Sequence, residues 1–305
     1  MHPANAVEIF RTDPVDRAAA RDLQRRARTG ELVRLRHGVY ARADAWAALD
    51  GASRHLVQMR AATPLLRPGS VWALDSAAAV LGVPRLGAWP DRVHAVVPGL
   101  EHDLQRVGLT FHTGWPRQSG RRFHGVPFTD LAQTVVDLAR RSSFSEAVIV
   151  LDHAVRRGID FEELAALAAA GGPWGQARAA QALECCDSRH ESVGESFFAA
   201  RAAELRCPEM EPQHEFRSAE GIVDRVDFWL PREGIVIEFD GRQKYEDPAM
   251  LGGRTGAGAV WAEKLREDRI RARPEVNGFV RVHWGHLVAP EMLRAHLRGS
   301  GVPCC

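Results

Sequence analysis

The sequence predicts an α/β protein of several domains. Its 305 residues are about twice the usual length of one domain. Hydrophobic residues make up 45% and charged residues 26% of the chain, a balance that supports buried cores. Helical and strand-like patterns alternate along the chain and fall into three segments. We predict domains at 1–50, 51–175 and 188–298.

The composition excludes several classes of protein. The formal net charge is only +1, so any nucleic-acid binding must depend on local basic patches. No run approaches the roughly 18 apolar residues of a membrane span, and the first residues lack a basic-then-apolar leader. The five cysteines, which include two adjacent pairs, have the spacing of neither a disulfide framework nor a CxxC metal motif. We therefore expect a cytoplasmic protein that does not bind membranes.

The N-terminal segment has a helical pattern followed by a short basic hairpin. Residues 15–29 predict a helix with apolar residues on one face and arginines on the other, and Gly30 follows where helices end. In residues 31–41 apolar runs surround the turn His37-Gly38, which predicts two short strands. A helix, a glycine and a basic hairpin form the layout of a winged helix-turn-helix, and seven arginines between positions 17 and 36 add a positive patch. The arginines of the helix face are Arg17, Arg21, Arg25 and Arg28. The candidate DNA-binding residues are Arg25, Arg26, Arg28, Arg34, Arg36 and His37.

The middle segment is a mixed α/β region without a constellation of catalytic residues. Residues 70–82, 129–141 and 144–156 predict helices, and residues 92–98 and 107–113 alternate as strands do. Its histidines are scattered, as structural and surface histidines usually are. We predict a scaffold, or a surface that binds another protein.

The C-terminal segment contains a hairpin whose register follows from its apolar residues. The runs on either side of the turn 231–234 are strand-like. An antiparallel pairing that sets Leu230 opposite Ile235 and Phe228 opposite Ile237 gives one apolar face. A slip of one residue would bury the acidic residues, so this register is favoured.

The same register gathers carboxylates on the other face of the hairpin. Asp227 would lie directly opposite Glu238, with Asp240 two residues further along. Like charges in this position need a compensating cation, and oxygen ligands of this kind suit Mg²⁺ or Mn²⁺ better than zinc. The predicted metal ligands are therefore Asp227, Glu238 and Asp240. The alternative is a solvated strand face that Arg225 and Arg242 neutralise.

Two lysines stand close to this cluster in the sequence. Among forty basic residues only Lys244 and Lys264 are lysines, and a compact ammonium at Lys244 could reach a phosphate or activate a water. Lys264 lies in a densely charged helix, 261–273. The arginines of that helix either form surface ion pairs or face a phosphate backbone.

Acidic residues also occur upstream, where a further helix is predicted. Ser188 and Glu191 fit a capping box that opens this helix. Glu195, one turn further on, is either a residue at the rim of the helix or a fourth carboxylate of the metal site.

Together these residues resemble the motif of the PD-(D/E)XK nuclease superfamily. The resemblance rests on an acid on a helix, Glu195, a hairpin aspartate, Asp227, and the Glu238-x-Asp240 pair on the next strand. The pattern VDF…IEFDG…K…EDR…GFVRVHW is similar to the very-short-patch-repair-like branch. The resemblance implies a restriction-endonuclease-like α/β core and Mg²⁺-dependent hydrolysis of DNA phosphodiesters. By this likeness Asp227 and Glu238 would hold the metal, Asp240 would assist, and Glu195 would orient the site from the helix.

The chain departs from the superfamily at one position. The lysine of the motif stands two residues after the glutamate, where this chain has Asp240. Lys244 would supply the ammonium from a shifted position, and otherwise the domain is a weak or lapsed nuclease. The candidate catalytic residues are Asp227, Glu238, Asp240, Lys244 and Glu195, and the supporting residues are Gln213, Arg242 and Lys264.

The N-terminal segment is similar to the winged-helix domain of AbiEi-type antitoxins, regulators from type IV toxin–antitoxin systems. The helix end Arg28-Thr29-Gly30 and the hairpin residues 31–34 and 37–40 carry this likeness. It implies DNA binding without catalysis.

Two functions follow from these patterns. The first is a metal-dependent DNA endonuclease that a winged helix places on its substrate. The second is a non-catalytic regulator of the antitoxin type, whose C-terminal domain keeps the nuclease fold as a platform. The carboxylate cluster favours the enzyme, because a regulator does not need three acids on one strand face.

Overall fold

The computed structural model describes residues 2–13, 15–170, 172–218, 221–241 and 256–305, with the backbone alone at 256–260. The protein has the mixed α/β structure that the sequence predicts. It divides into two compact units, Met1–Arg141 with Glu162–Gln176 and Ser142–Phe161 with Ala177–Cys305. In the described part of the chain, no helix is long and apolar enough to cross a membrane.

The first unit contains a three-stranded and a six-stranded sheet, with strand orders β1-β3-β2 and β6-β7-β5-β4-β9-β8. Its elements are α1 (Pro3–Ala6), β1 (Ile9–Arg11), α2 (Arg17–Arg28), β2 (Leu32–Arg36), β3 (Val39–Arg42), α3 (Ala43–Ala47), α4 (Gly51–Ala62), β4 (Val71–Trp72), α5 (Leu74–Leu81), β5 (Val93–Val96), β6 (Leu104–Arg106), β7 (Leu109–His112), β8 (Gln118–Phe123), β9 (Val126–Thr129), α6 (Leu131–Ala139) and most of α8 (Phe161–Ala170).

The predicted N-terminal helix and hairpin are both present. The side chain of Asp16 caps α2, and the helix ends where Glu31 donates its N–H to the carbonyl of Arg26. Between them Gly30 has a φ of +80°, which glycine adopts without strain. Strands β2 and β3 pair antiparallel around the predicted turn, and β1 adds to β3. The helix starts at Arg17 and not at the predicted residue 15, so Val15, which is 88% exposed, is not part of its apolar face.

The first fifty residues share a hydrophobic core with the residues that follow them. Val7 and Leu49 belong to the same buried cluster as Trp72, Phe111 and Phe128 of the six-stranded sheet. The predicted segment 1–50 therefore does not form a compact unit by itself in this structure. A segment of this size buries only a small part of its surface by itself, and a core shared with later residues increases that burial.

The second unit is built on a four-stranded sheet of order β10-β11-β12-β13. Its pairs are antiparallel except β12–β13, which is parallel. Its elements are α7 (Phe144–Arg156), α9 (Gln176–Glu184), α10 (Val193–Glu204), β10 (Glu211–Arg217), β11 (Val223–Leu230), β12 (Ile235–Asp240), α11 (Gly256–Arg271), β13 (Gly278–His283), α12 (Trp284–Leu287) and α13 (Pro290–Gly299). Helix α7, predicted in the middle segment, packs against α10 in this unit.

Both faces of this sheet are covered near the hairpin turn. On one face the ring of Phe228 meets Phe198 of α10, with 5.0 Å between ring centroids. On the other face Trp229 and Val236 are buried with Ile270 of α11. The face that the sequence assigns to carboxylates is therefore apolar at the turn and acidic only further along the strands.

Candidate functional site

Glu195 lies at the start of α10, where it is part of the helix cap. Ser192, not the predicted Ser188, caps this helix, and its hydroxyl accepts a hydrogen bond from the N–H of Glu195 at 3.1 Å. In return the hydroxyl donates to Glu195 Oε1 at 2.6 Å, and the N–H of Glu191 donates to Oε2 at 2.9 Å. The predicted capping box at Ser188 and Glu191 is wrong because the helix starts at Val193. Glu195 is 5% exposed.

Gln213 connects this helix cap to the sheet. Its amide Nε2 donates to Glu195 Oε2 at 2.7 Å. Its backbone has a φ of +54°, a left-handed conformation that costs a residue other than glycine about 1–3 kcal/mol. The β10–β11 ladder pairs Pro212 with Phe228 and His214 with Val226, so Gln213 stands opposite Asp227 without being paired to it. Strain of this kind is concentrated at functional sites.

The hairpin has the predicted register at its turn but not at its acidic end. The β11–β12 ladder pairs Leu230 with Ile235 and ends at the pair Phe228–Ile237. Beyond this pair, Asp227 Oδ2 accepts a 2.8 Å hydrogen bond from the N–H of Phe239. Asp227 and Glu238 are therefore not a ladder pair. The side chain of Asp227 takes a backbone donor that a longer ladder would have used.

Arg266 of α11 is the cation that neutralises Glu238. Its Nη2 lies 2.5 Å from Glu238 Oε1 and 2.6 Å from Glu263 Oε1. Its Nη1 donates to the carbonyl of Arg225 at 2.7 Å. The predicted compensating cation is Mg²⁺ or Mn²⁺, or in the alternative Arg225 with Arg242. Arg242 and the predicted catalytic Lys244 lie outside the described residues. The spacing from Ile270 could have revealed Arg266, because positions four apart on a helix share one face.

The surroundings shift the pKa values of this pair. Burial raises the pKa of Glu238 above its ordinary value, the charge of Arg266 opposes this shift, and the charge of Glu263 adds to it. Burial by itself would lower the pKa of Arg266, but its hydrogen bonds and charge interactions with Glu263 and Glu238 together raise it. Arg266 therefore keeps its charge in this position.

Other arginines of α11 form ion pairs with acidic residues of the second unit. Arg269 binds Asp224 at 2.6 Å, and Arg271 binds Glu267 at 2.7 Å. These contacts match the ion-pair interpretation of this helix. Lys264 is exposed, and Asp240, at the end of β12, is half-buried and paired with His283 in the ladder.

The arrangement of these acids does not fit a divalent metal ion. In the parts of the chain that the structure describes, no three His, Cys, Asp or Glu residues lie close enough to hold one. Both oxygens of Glu195 accept protein donors, and one oxygen of Glu238 is bound to Arg266. A metal ion would have to displace these partners.

The predicted DNA-binding residues divide into two groups. Arg36 is half-buried, donates to the carbonyl of Val107 at 2.8 Å, and burial lowers its pKa. Arg26 binds Glu31 at 2.6 Å. These two guanidinium groups are engaged within the fold. The exposed members of the set are Arg25, Arg28, Arg34 and His37.

A row of arginines lies along the exposed face of α2. Arg17, Arg21, Arg25 and Arg28 stand four, four and three residues apart, and all are exposed. Arg25 pairs with Asp22 at 2.5 Å. For the other three, no acidic side chain among the described residues lies within ion-pair distance. The C-terminal end of a helix favours such cations.

Comparison with known proteins gives few matches. No protein-family model and no curated protein matches this chain. Among solved structures, the Rv2827c protein from Mycobacterium tuberculosis is similar at 20% sequence identity and a TM-score of 0.35. That match covers 67% of this chain and 78% of the other.

Proposed function

We propose that this protein binds duplex DNA through α2 and the β2–β3 hairpin, and that it acts as a regulator without catalysis. The observation that carries the proposal is the row of exposed arginines on α2. Three of them lack an acidic partner among the described residues, so their charges are available to an anionic surface. DNA phosphates are anions of this kind, and arginines that neutralise them release the counterions condensed on DNA.

The hairpin supplies further groups of the same kind. Arg34 is exposed on β2, and its Nη2 lies 3.0 Å from Nδ1 of His37 at the turn. Such residues would bind phosphates and so fix the position of the protein on DNA without reading its sequence. The likeness of residues 28–40 to AbiEi-type antitoxins supports a regulator. We place this activity in the cytoplasm, and residues 51–175 are our candidate surface for a protein partner.

Single variants of the complete chain test DNA binding. Truncation is unsuitable because the first fifty residues share a core with later ones. We expect Arg21→Ala and Arg28→Ala each to weaken binding of a fluorescent duplex roughly threefold to tenfold, the effect of about 1 kcal/mol. The matched control is Arg232→Ala, an exposed arginine in the 231–234 turn of the second unit. Equal affinities for all three variants and the wild type would contradict the proposal.

The second candidate function is a Mg²⁺- or Mn²⁺-dependent DNA endonuclease. It is favoured because Gln213 donates a hydrogen bond to Glu195, and Asp227 and Glu238 lie on the next two strands of the same sheet. The test is incubation of supercoiled plasmid and of single-stranded DNA with each metal, beside a Glu238→Ala variant. Metal-dependent cutting that disappears in the variant would establish the nuclease. DNA binding without cutting would support the regulator.

A further inference from the structure

The guanidinium of Arg266 lies in a pocket lined by oxygen atoms. Four donor contacts join it to Glu238 Oε1, both carboxylate oxygens of Glu263 and the carbonyl of Arg225, at distances between 2.5 and 3.0 Å. The side chains of Arg266 and Glu238 are 22% and 12% exposed. The pocket is therefore a specific site for a cation, filled by a side chain of the same chain.

The donors around Arg266 are those that a hard divalent cation uses. Two carboxylates from different elements approach the same nitrogen, Nη2, at 2.5 and 2.6 Å. Oxygen ligands lie about 2.3–2.6 Å from Ca²⁺, which matches these distances, and about 2.0–2.1 Å from Mg²⁺, which requires a closer approach. A small movement of Glu263, which is 35% exposed, would complete the approach. The guanidinium and a metal ion would compete for the same oxygens.

We propose that Arg266 is a fixed countercharge that occupies the place of a divalent cation, so that a metal ion binds between Glu238 and Glu263 only when Arg266 is removed. This inference does not depend on DNA binding by the first unit. It explains why a cluster with the residue types of a metal site does not fit a metal ion as arranged. It also assigns the cluster a structural role in which α11 is held against the hairpin.

The test is titration of Mn²⁺ alone into the complete chain by calorimetry. The wild type and its Glu238→Gln variant should give the same heat, because Glu238 takes no metal in either. Arg266→Met should gain a site, with an affinity increase on the order of tenfold or more, because an adjacent positive charge no longer repels the metal. The gain should disappear in Arg266→Met/Glu238→Gln.

Two further variants test the effect of charge, and the folding of every variant is measured separately. Arg266→Lys keeps a positive charge and should not gain the site. Arg281→Met removes a second arginine that lies near Glu263 in the described part of the chain, and it should behave as the wild type. Circular dichroism and melting temperature show which variants are folded. Should Arg266→Met not fold, Arg266→Gln replaces it in every comparison.

Two results would overturn the proposal. One is binding of Mn²⁺ by the wild type that Glu238→Gln abolishes, since a metal ion would then displace Arg266. The other is a folded Arg266→Met or Arg266→Gln variant that binds no more Mn²⁺ than the wild type.

Discussion

Gln213 and Glu195 are joined by a 2.7 Å hydrogen bond from the amide of Gln213 to Oε2 of the carboxylate. The bond links strand β10 to the first turn of α10, and Gln213 holds a left-handed backbone to make it. Glu195 also accepts from Ser192 and from the N–H of Glu191. The sequence singled out both residues through the nuclease resemblance, and the structure shows that they contact each other.

Loss of the Glu195 carboxylate should destabilise the second unit. Glu195→Ala leaves three donors without their acceptor, and we expect the free energy of unfolding to fall by about 2–3 kcal/mol. Glu191→Ala is the control, because it removes only an exposed ion pair to Arg225 and should cost at most about 1 kcal/mol. Urea unfolding measures both. A Glu195→Ala variant as stable as the control would contradict this role.

Gly194 of α10 should not tolerate a larger residue, because its hydrogen faces an aromatic ring. A Cβ atom there would overlap the ring of Phe239, which is buried. We expect Gly194→Ala to lower stability by about 1–3 kcal/mol through overpacking. Gly299→Ala, in helix α13 with nothing within 4 Å of the added atom, should be neutral or stabilise by about 0.5–1 kcal/mol. Thermal unfolding of the two variants measures this difference. A Gly194→Ala variant as stable as the wild type would contradict the close contact between Gly194 and Phe239.

Acid should destabilise the first unit through two histidines, His55, which is buried, and His94, which is half-buried. Burial lowers the pKa of His55 to about 4, and burial, with the charge of His112 next, lowers the pKa of His94 to about 3, from 6.5. Below pH 6.5 these two histidines therefore bind protons more strongly in the unfolded chain than in the folded unit. The stability that these histidines contribute is fully present above pH 6.5 and is lost as the pH falls towards the folded values.

The measurement is the free energy of unfolding between pH 7 and pH 4. Each histidine should add up to about 1.4 kcal/mol per pH unit to the slope. His94→Gln should reduce the slope, whereas His102→Gln, an exposed control, should not. Equal slopes in both variants would show that His94 is not responsible.

The sequence predicts what local patterns determine. The alternation of apolar residues predicts the register Leu230–Ile235, and the structure confirms it, because a slip would bury charges. The same reasoning extends the ladder too far, to Asp227 and Glu238. There the side chain of Asp227 accepts the hydrogen bond from the N–H of Phe239. Arg266, 28 residues from Glu238 in the sequence, binds the carbonyl of Arg225 and the carboxylate of Glu238. The spacing from Ile270 indicates the face of α11 on which Arg266 lies, but no local pattern indicates that its partner is Glu238.

The helix cap shows a similar limit. Ser188-x-x-Glu191 and Ser192-x-x-Glu195 are consecutive motifs of the same type. Only the second leads directly into the apolar run of α10, which is the feature that separates a true cap from a chance match. With the second motif, the sequence alone could have placed Glu195 in the cap.

The salt dependence of DNA affinity tests the central claim, DNA binding through the first unit, most directly. Each phosphate contact contributes about 0.9 to the slope of log affinity against log salt. We predict that Arg28→Ala and Arg34→Ala each reduce the slope by about 1, whereas Arg36→Ala, whose guanidinium is bound to Val107, leaves it unchanged. Slopes that are the same for all three variants and the wild type would contradict the account.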